Sequence, residues 1–206
     1  MKITTLQFTD DMLETFNKYY DDFIVYLHYL QTGLIHHTSQ IDDIKQSMII
    51  IVSVNPNVKF PRYGDVGLDL YADEDAEIPH SSNVVLVKLG IKSYIPVGWE
   101  AQIRPRSSLY KKYKVILTNS PGTIDPTYRN EWMASLTSLT GSKITKNTKI
   151  VQAVFTKYLV VDQNSRSKNI TNMLLIKTDR QSNLWNNWHK LLPTDRGQGG
   201  FGSTGN

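Results

Sequence analysis

The chain has 206 residues, 40% of them apolar, a formal charge of +4 and no cysteine. That length holds one domain with a real core, or one domain with an appendage; without Cys there are no disulfides and no thiolate chemistry, which suits a reducing cytoplasm. The longest apolar run, Met48-Ile-Ile-Ile-Val-Ser-Val54, falls far short of the roughly 20 residues that span a bilayer, and no basic, apolar leader opens the chain, so a cytoplasmic protein without a membrane span is expected.

The early residues read as helical. Thr9 is a capping residue followed by Asp10 and Asp11, as helix starts favour. Met12, Leu13, Phe16, Tyr20, Phe23, Ile24, Leu27 and Leu30 recur at helical spacing up to Gly33, a plausible stop. A weaker helix is predicted over roughly 38–47, so that residues 1–47 form an α-helical extension. From Met48 the texture changes to short β-rich runs at 48–54, 84–88, 91–95, 114–118, 150–161 and 170–177, separated by Pro, Gly and Asn turns. That pattern predicts an all-β sandwich or barrel over 48–192. Residues 162–169 read as an exposed hairpin tip, and Trp185 and Trp188 flank a short helical stretch. Charge divides along the same line: residues 1–80 hold 5 Lys/Arg against 13 Asp/Glu, and residues 81–206 hold 18 against 6. A basic half could attract nucleic acid or a polyanionic small molecule. No aromatic–basic stripe of a nucleic-acid module is present, so nucleic acid is not expected.

Five segments carry candidate chemistry. Asp69 sits in an apolar alternation within Val66-Gly-Leu-Asp-Leu-Tyr-Ala72, where a carboxylate is costly unless paired or bound. Arg104-Pro-Arg-Ser-Ser108 sets two guanidiniums and two hydroxyls on a stiff segment suited to phosphate. Asn119-Ser-Pro-Gly-Thr-Ile-Asp-Pro-Thr-Tyr128 is a turn that exposes backbone donors and acceptors and offers Asp125 as a general base; the simpler reading makes Asp125 a turn-former. Gln152 is an amide in an apolar strand and needs partners, structural or bound. The final eleven residues, Arg196 to Asn206, contain five Gly, with Arg196 leading, Phe201 in the middle and Ser203 and Thr204 after it. Such a tail can wrap a phosphorylated aromatic ligand. Its Gly-x-Gly-x-x-Gly string is not a dinucleotide fingerprint, because no helix can follow so close to the end. His36 and His37 have no third ligand nearby and read as surface residues.

Taken in order, these segments resemble the five motifs of the trimeric dUTP pyrophosphatase (dUTPase) family, over roughly residues 48–206. The resemblance implies a jelly-roll β-sandwich that assembles as a homotrimer, with the extension 1–47 unexplained. It implies active sites between subunits, with residues 193–206 forming a lid over a neighbouring subunit's site. The reaction would convert dUTP to dUMP and pyrophosphate with Mg²⁺, Asp125 orienting the water that attacks the α-phosphorus. Asn119, Gly122 and Thr123 would read uracil; Ile124 and Tyr128 would exclude a 2′-hydroxyl; Met133 would line the pocket. Arg106, Ser107, Ser108 and Gln152 would contact phosphates, and Arg196 would hold the terminal one. Phe201 would stack over uracil, Gly202, Ser203 and Thr204 would wrap the phosphates, and Asp69 would stand near the metal through water. Some phage and viral members contact partner proteins, so residues 1–47 offer a possible partner surface, with packing on the chain's own trimer as the plainer alternative.

The sequence departs from the family pattern in three places. Asn130 replaces the usual Gly after Tyr128-Arg129, a change that Asn's tolerance of positive φ would soften. Leu68 stands where an aromatic is common. The 43 residues between Gln152 and Arg196 exceed those of compact members and predict an extended hairpin around 156–177 together with the Trp-bearing segment. A related enzyme, dCTP deaminase, shares the Arg-Ser-Ser-Leu and Ile-Asp-Pro segments. It would need Glu ten positions after Asp125, where this chain has Ser135.

Overall fold

A computed structural model describes residues 1–34, 40–160, 168–196 and Gly199. Its first element was not legible in the sequence: β1 (Lys2–Gln7) precedes α1 (Asp10–Tyr19) and α2 (Phe23–Thr32). The long periodic run is two helices because the chain breaks at Tyr20–Asp22. Asp22 caps the second helix, its Oδ1 accepting from the amides of Ile24 at 3.0 Å and Val25 at 3.3 Å. Gly33 closes α2 with φ +73°, a left-handed conformation that glycine reaches without strain. Thr9 takes the N-cap position of α1, but its side chain makes no cap bond. The next helix, α3, spans Ile41–Ser47, so the described part of the weaker helix is present. His36 and His37 lie outside the described residues.

Two four-stranded sheets dominate the fold. One has the order β1-β13-β2-β6, with β2 at Met48–Ser53, β6 at Ile91–Tyr94 and β13 at Asn172–Lys177. The other has the order β3-β12-β7-β9, with β3 at Leu68–Tyr71, β7 at Trp99–Pro105, β9 at Gly122–Ile124 and β12 at Lys149–Lys157. A three-stranded sheet joins β5 (Ser81–Lys88), β10 (Met133–Ser138) and β8 (Val115–Leu117), and a pair joins β4 (Ala76–Ile78) to β11 (Ser142–Ile144). Helix α4 (Ser107–Tyr113) follows β7, and α5 (Asn183–Leu191) follows β13. The fold is the all-β jelly-roll sandwich with an added N-terminal helical segment.

β2 explains how the layers join. All six of its residues are buried, as expected for a strand covered on both faces. Ile49 and Ile51 enter the sandwich core with Leu70, Leu89, Ile103, Trp132 and Val151. Met48, Ile50 and Val52 point the other way, into a second core with Phe16, Phe23, Leu27, Leu174, Ile176 and Trp188. The period-2 geometry of a strand makes this division automatic.

The extended hairpin predicted around 156–177 does not form. β12 pairs with β3 and β7 in one sheet, and β13 pairs with β1 and β2 in the other. Both edges of each strand are taken, so the two cannot pair with each other, and the connection crosses between sheets. Most of the predicted tip at 162–169 lies outside the described residues.

Candidate active site

Two clefts gather most of the residues singled out by sequence. The larger, 540 Å³, is lined by Gly67, Asp69, Arg106 and Gln152, with Lys59, Arg62, Asp65 and Lys149 alongside. β12 assembles it: Gln152 stands opposite Asp69 of β3 on one side and Arg104 of β7 on the other. The Gln152 amide donates to the Pro105 carbonyl at 3.2 Å. A Cβ on Gly67 would collide with that amide, so glycine here lets the Gln152 side chain keep this position. Asp69 pairs with Arg106 and, at 3.1 Å, with Lys149. Arg106 Nε is buried and has no hydrogen-bond partner among the described residues. A buried donor without a partner calls for an acceptor from outside the chain, and a guanidinium suits phosphate oxygen. Lys59, Arg62 and Lys149 escaped the sequence reading because a cation beside a motif looks the same as a solvated surface cation until the fold aims it.

The second cleft, 170 Å³, is lined by Ile103, Asn119, Gly122, Thr123, Ile124, Tyr128, Met133 and Arg196. β9 brings Gly122 opposite Ile103 of β7. A Cβ on Gly122 would lie 3.2 Å from Asn119 Nδ2, so a larger residue would require the Asn119 amide to give by a few tenths of an ångström. Tyr128 is buried, and its hydroxyl donates to the Glu131 carbonyl at 3.0 Å. Burial pushes the phenol pKa up, with the nearby Arg196 charge opposing. Arg196 sits 5.4 Å over the Tyr128 ring and pairs with the Asp125 carboxylate on the same turn.

The remaining predicted residues are placed less centrally. Ser107 and Ser108 open α4 directly after Arg106 but line neither cleft. Arg104 binds Gln102 Oε1 through Nε at 3.2 Å and Nη2 at 2.6 Å, in an exposed contact. Phe201, Gly202, Ser203 and Thr204 lie outside the described residues. Asn130 needs no positive φ: among the described residues the non-glycine positions with positive φ are Lys114 and Asn147. Its side-chain oxygen accepts from the Glu131 amide at 2.7 Å instead. Ser135 shares a 2.6 Å hydroxyl contact with Thr118 and is buried; it offers no group able to shuttle protons at a cytosine ring.

A supporting network also went unread. Arg180, between β13 and α5, donates to Glu131 Oε2 at 3.0 Å and Oε1 at 2.6 Å, and to Asp73 Oδ2 at 3.1 Å. Both carboxylates are buried, and their hydrogen bonds hold the guanidinium pKa above its ordinary value. Glu131 Oε1 also accepts from the Gly90 amide at 3.1 Å. Arg180 thus ties the end of the Asp125 turn to the sandwich. Among the described residues no group of three or more His, Asp or Glu could hold a metal ion by itself.

On one chain, then, a β-sandwich carries a cation-lined cleft suited to anions and a narrow cleft of a size for a single ring, and the two share no lining residue. The family model for dUTPase matches residues 56–175. The deoxyuridine 5′-triphosphate nucleotidohydrolase of Picosynechococcus sp. is 37% identical over 161 residues, covering 75% of this chain and 96% of that protein. The protein of the same name from Helicobacter pylori is 36% identical over 163 residues, covering 76% and 96%. A solved dUTPase from Streptococcus mutans superposes with a TM-score of 0.47 at 31% identity, covering 51% of this chain and 88% of that one. The chain belongs to the dUTPase family.

Proposed function

We propose that the chain hydrolyses dUTP to dUMP and pyrophosphate, as a homotrimer whose sites combine the wide cleft of one protomer with the narrow cleft of another. The observation that carries this reading is the Asn119–Gly122 turn, closed around glycine, with Tyr128 beneath it and Asp125 on the same turn. That arrangement suits a small planar base on a deoxyribose. The separation of the two clefts within a chain supports their union between chains.

Asp125 takes a proton from a water that attacks the α-phosphorus; the bond from that phosphorus to the bridging oxygen breaks and pyrophosphate leaves. Asn119 and the backbone of Gly122 and Thr123 read uracil, Met133 lines the pocket, and Ile124 and Tyr128 leave no room for a 2′-hydroxyl. Arg106, through its open Nε, and Gln152 hold the triphosphate, joined by Lys149 and by Ser107 and Ser108 once α4 faces ligand. Arg196 holds the terminal phosphate. The role of Phe201, Gly202, Ser203 and Thr204 is closure over base and phosphates.

The donor set suits Mg²⁺ held mainly by substrate oxygens: Asp69 is an acid of the wide cleft beside Arg106 and Lys149, and Mg²⁺ binds readily through one carboxylate, waters and phosphates. When bound, the ion neutralises triphosphate charge. Among the described residues before β2, Phe8, Leu13, Phe16, Phe23, Ile24, Tyr26, Leu27 and Ile44 are buried in a core shared with the chain's own sheet, which favours a packing role for residues 1–47 over a partner surface.

Pyrophosphate release measured across dUTP, dTTP, dCTP and UTP is expected for dUTP alone. Asp125→Asn is expected to lower turnover by about 10²–10⁴, the usual contribution of a positioned general base, while dUTP binding persists. Wild-type turnover in that variant would overturn the base assignment.

A further inference from the structure

Lys177, the last residue of β13, reaches the loop that forms one rim of the wide cleft. Its Nζ donates to the Asn55 carbonyl at 2.8 Å and to the Val58 carbonyl. β13 runs between β1 and β2 and is paired on both edges as far as Lys177, so the ammonium is carried by a strand held on both sides. Asn147 fixes the loop elsewhere: its Oδ1 accepts from Asn55 Nδ2 at 3.0 Å and from Asn57 Nδ2 at 3.3 Å. Asn55 and Val58 are buried, whereas Asn57, Lys59 and Arg62 emerge exposed from the same loop and line the 540 Å³ cleft. Burial, and after it the charge of Lys59, lowers the Lys177 pKa to about 8. At pH 7 the ammonium is therefore still charged, and it lies within electrostatic reach of Lys59.

On the reading of the site as a dUTP-hydrolysing one, we infer that Lys177 is a positioning residue for the phosphate end of the substrate: by gripping two carbonyls of the 55–58 turn it sets where Lys59 and Arg62 face the wide cleft. Lys177 does not line that cleft itself, so it acts only through the loop. Buried carbonyls require donors, and one ammonium has enough N–H groups to serve both. Without it the Asn55 carbonyl keeps the Ser53 hydroxyl at 3.0 Å and the Val58 amide at 3.4 Å, while the Val58 carbonyl loses its donor. The effect therefore falls on the half of the loop that carries the cations. The Val58 carbonyl and the Lys59 amide share one planar peptide unit, so moving the first moves the second. Lys177 lies past residues 56–175, the stretch that matches the family model, and its loop partners are 122 and 119 residues away in sequence.

Calorimetric titration with inorganic tripolyphosphate reads the cleft without relying on hydrolysis. Lys177→Met is expected to bind this probe roughly three- to tenfold more weakly, the scale of one charge-assisted contact. It should raise KM for dUTP by a similar factor and leave kcat within about twofold of wild type, as loss of uniform binding does. Lys177→Gln, which keeps one amide donor, should fall between the two. Lys59→Ala should match Lys177→Met, and the double variant should bind little worse than the weaker single, because both changes remove the same contact. Losses that multiply in the double variant would overturn the inference. So would a Lys177→Met protein that melts earlier yet binds tripolyphosphate as tightly as wild type. Should neither Lys177 variant fold, the exposed positions still decide: unchanged tripolyphosphate binding in both Lys59→Ala and Arg62→Ala leaves Lys177 nothing to position and overturns the inference. Failure of the wild-type protein to release pyrophosphate from dUTP, with the tripolyphosphate pattern intact, would instead remove the functional reading and leave the anchoring of a polyphosphate cleft standing.

Discussion

Tyr128 bears two loads that can be separated by one atom. Its ring forms a wall of the narrow cleft, and its hydroxyl bonds the Glu131 carbonyl inside the protein. Tyr128→Phe keeps the wall and removes the bond, which should cost about 1 kcal/mol. In a chain of this size that lowers the melting temperature by about 2–4 °C. Discrimination between dUTP and UTP should survive, because the ring excludes the 2′-hydroxyl. A Phe variant that accepts UTP would show that the hydroxyl, not the ring, sets sugar specificity. At this scale much was legible: Asn119, Gly122, Asp125 and Tyr128 are close in sequence, so the turn that unites them is a local event. Arg106, Asp69 and Gln152 could be singled out as chemistry but not as a cluster, since only strand register sets Gln152 beside Asp69.

Elements beyond the motifs hold that turn in place. Arg180 binds both Asp73 and Glu131, and its neighbour α5 is tied to α1 through Asp10, which accepts from the Asn183 amide at 3.0 Å. Arg180→Met leaves two buried carboxylates without their cation. Breaking a buried pair typically costs 3–5 kcal/mol, and partial exposure of Arg180 reduces this to about 2–3 kcal/mol. Urea unfolding at fixed protein concentration should read that loss, with Arg180→Lys recovering part of it. A variant as stable as wild type would mean that water satisfies both acids. Arg180 gave no signal in the sequence because its partners lie 49 and 107 residues away. The helical texture around Trp185 and Trp188 did show, through the spacing of two large apolar residues; what it packs against did not.

On the scale of the whole molecule, the N-terminal residues are structural members of the sandwich's outer face. Deleting residues 1–45 would expose Met48, Ile50, Val52, Leu174 and Ile176, all fully or almost fully buried. At about 1.5–3 kcal/mol for each side chain, the loss is comparable to the 5–15 kcal/mol by which domains are stable. The truncated chain should therefore aggregate or unfold, as seen by size-exclusion chromatography and circular dichroism. A folded, active truncation would return residues 1–47 to the status of an appendage.

The amino-acid order alone determined the chemistry of the turn, the strand character of the apolar runs and the helical stretches, because each depends on neighbours a few positions apart. Tertiary structure decided the rest. It paired Lys2 of β1 with Asn172 of β13, divided β2 between two cores and joined the end of α5 to Arg129 through the Leu192 carbonyl. Those outcomes turn on which strand edges and buried carbonyls remain available after the chain has folded back on itself, and no local pattern encodes that availability.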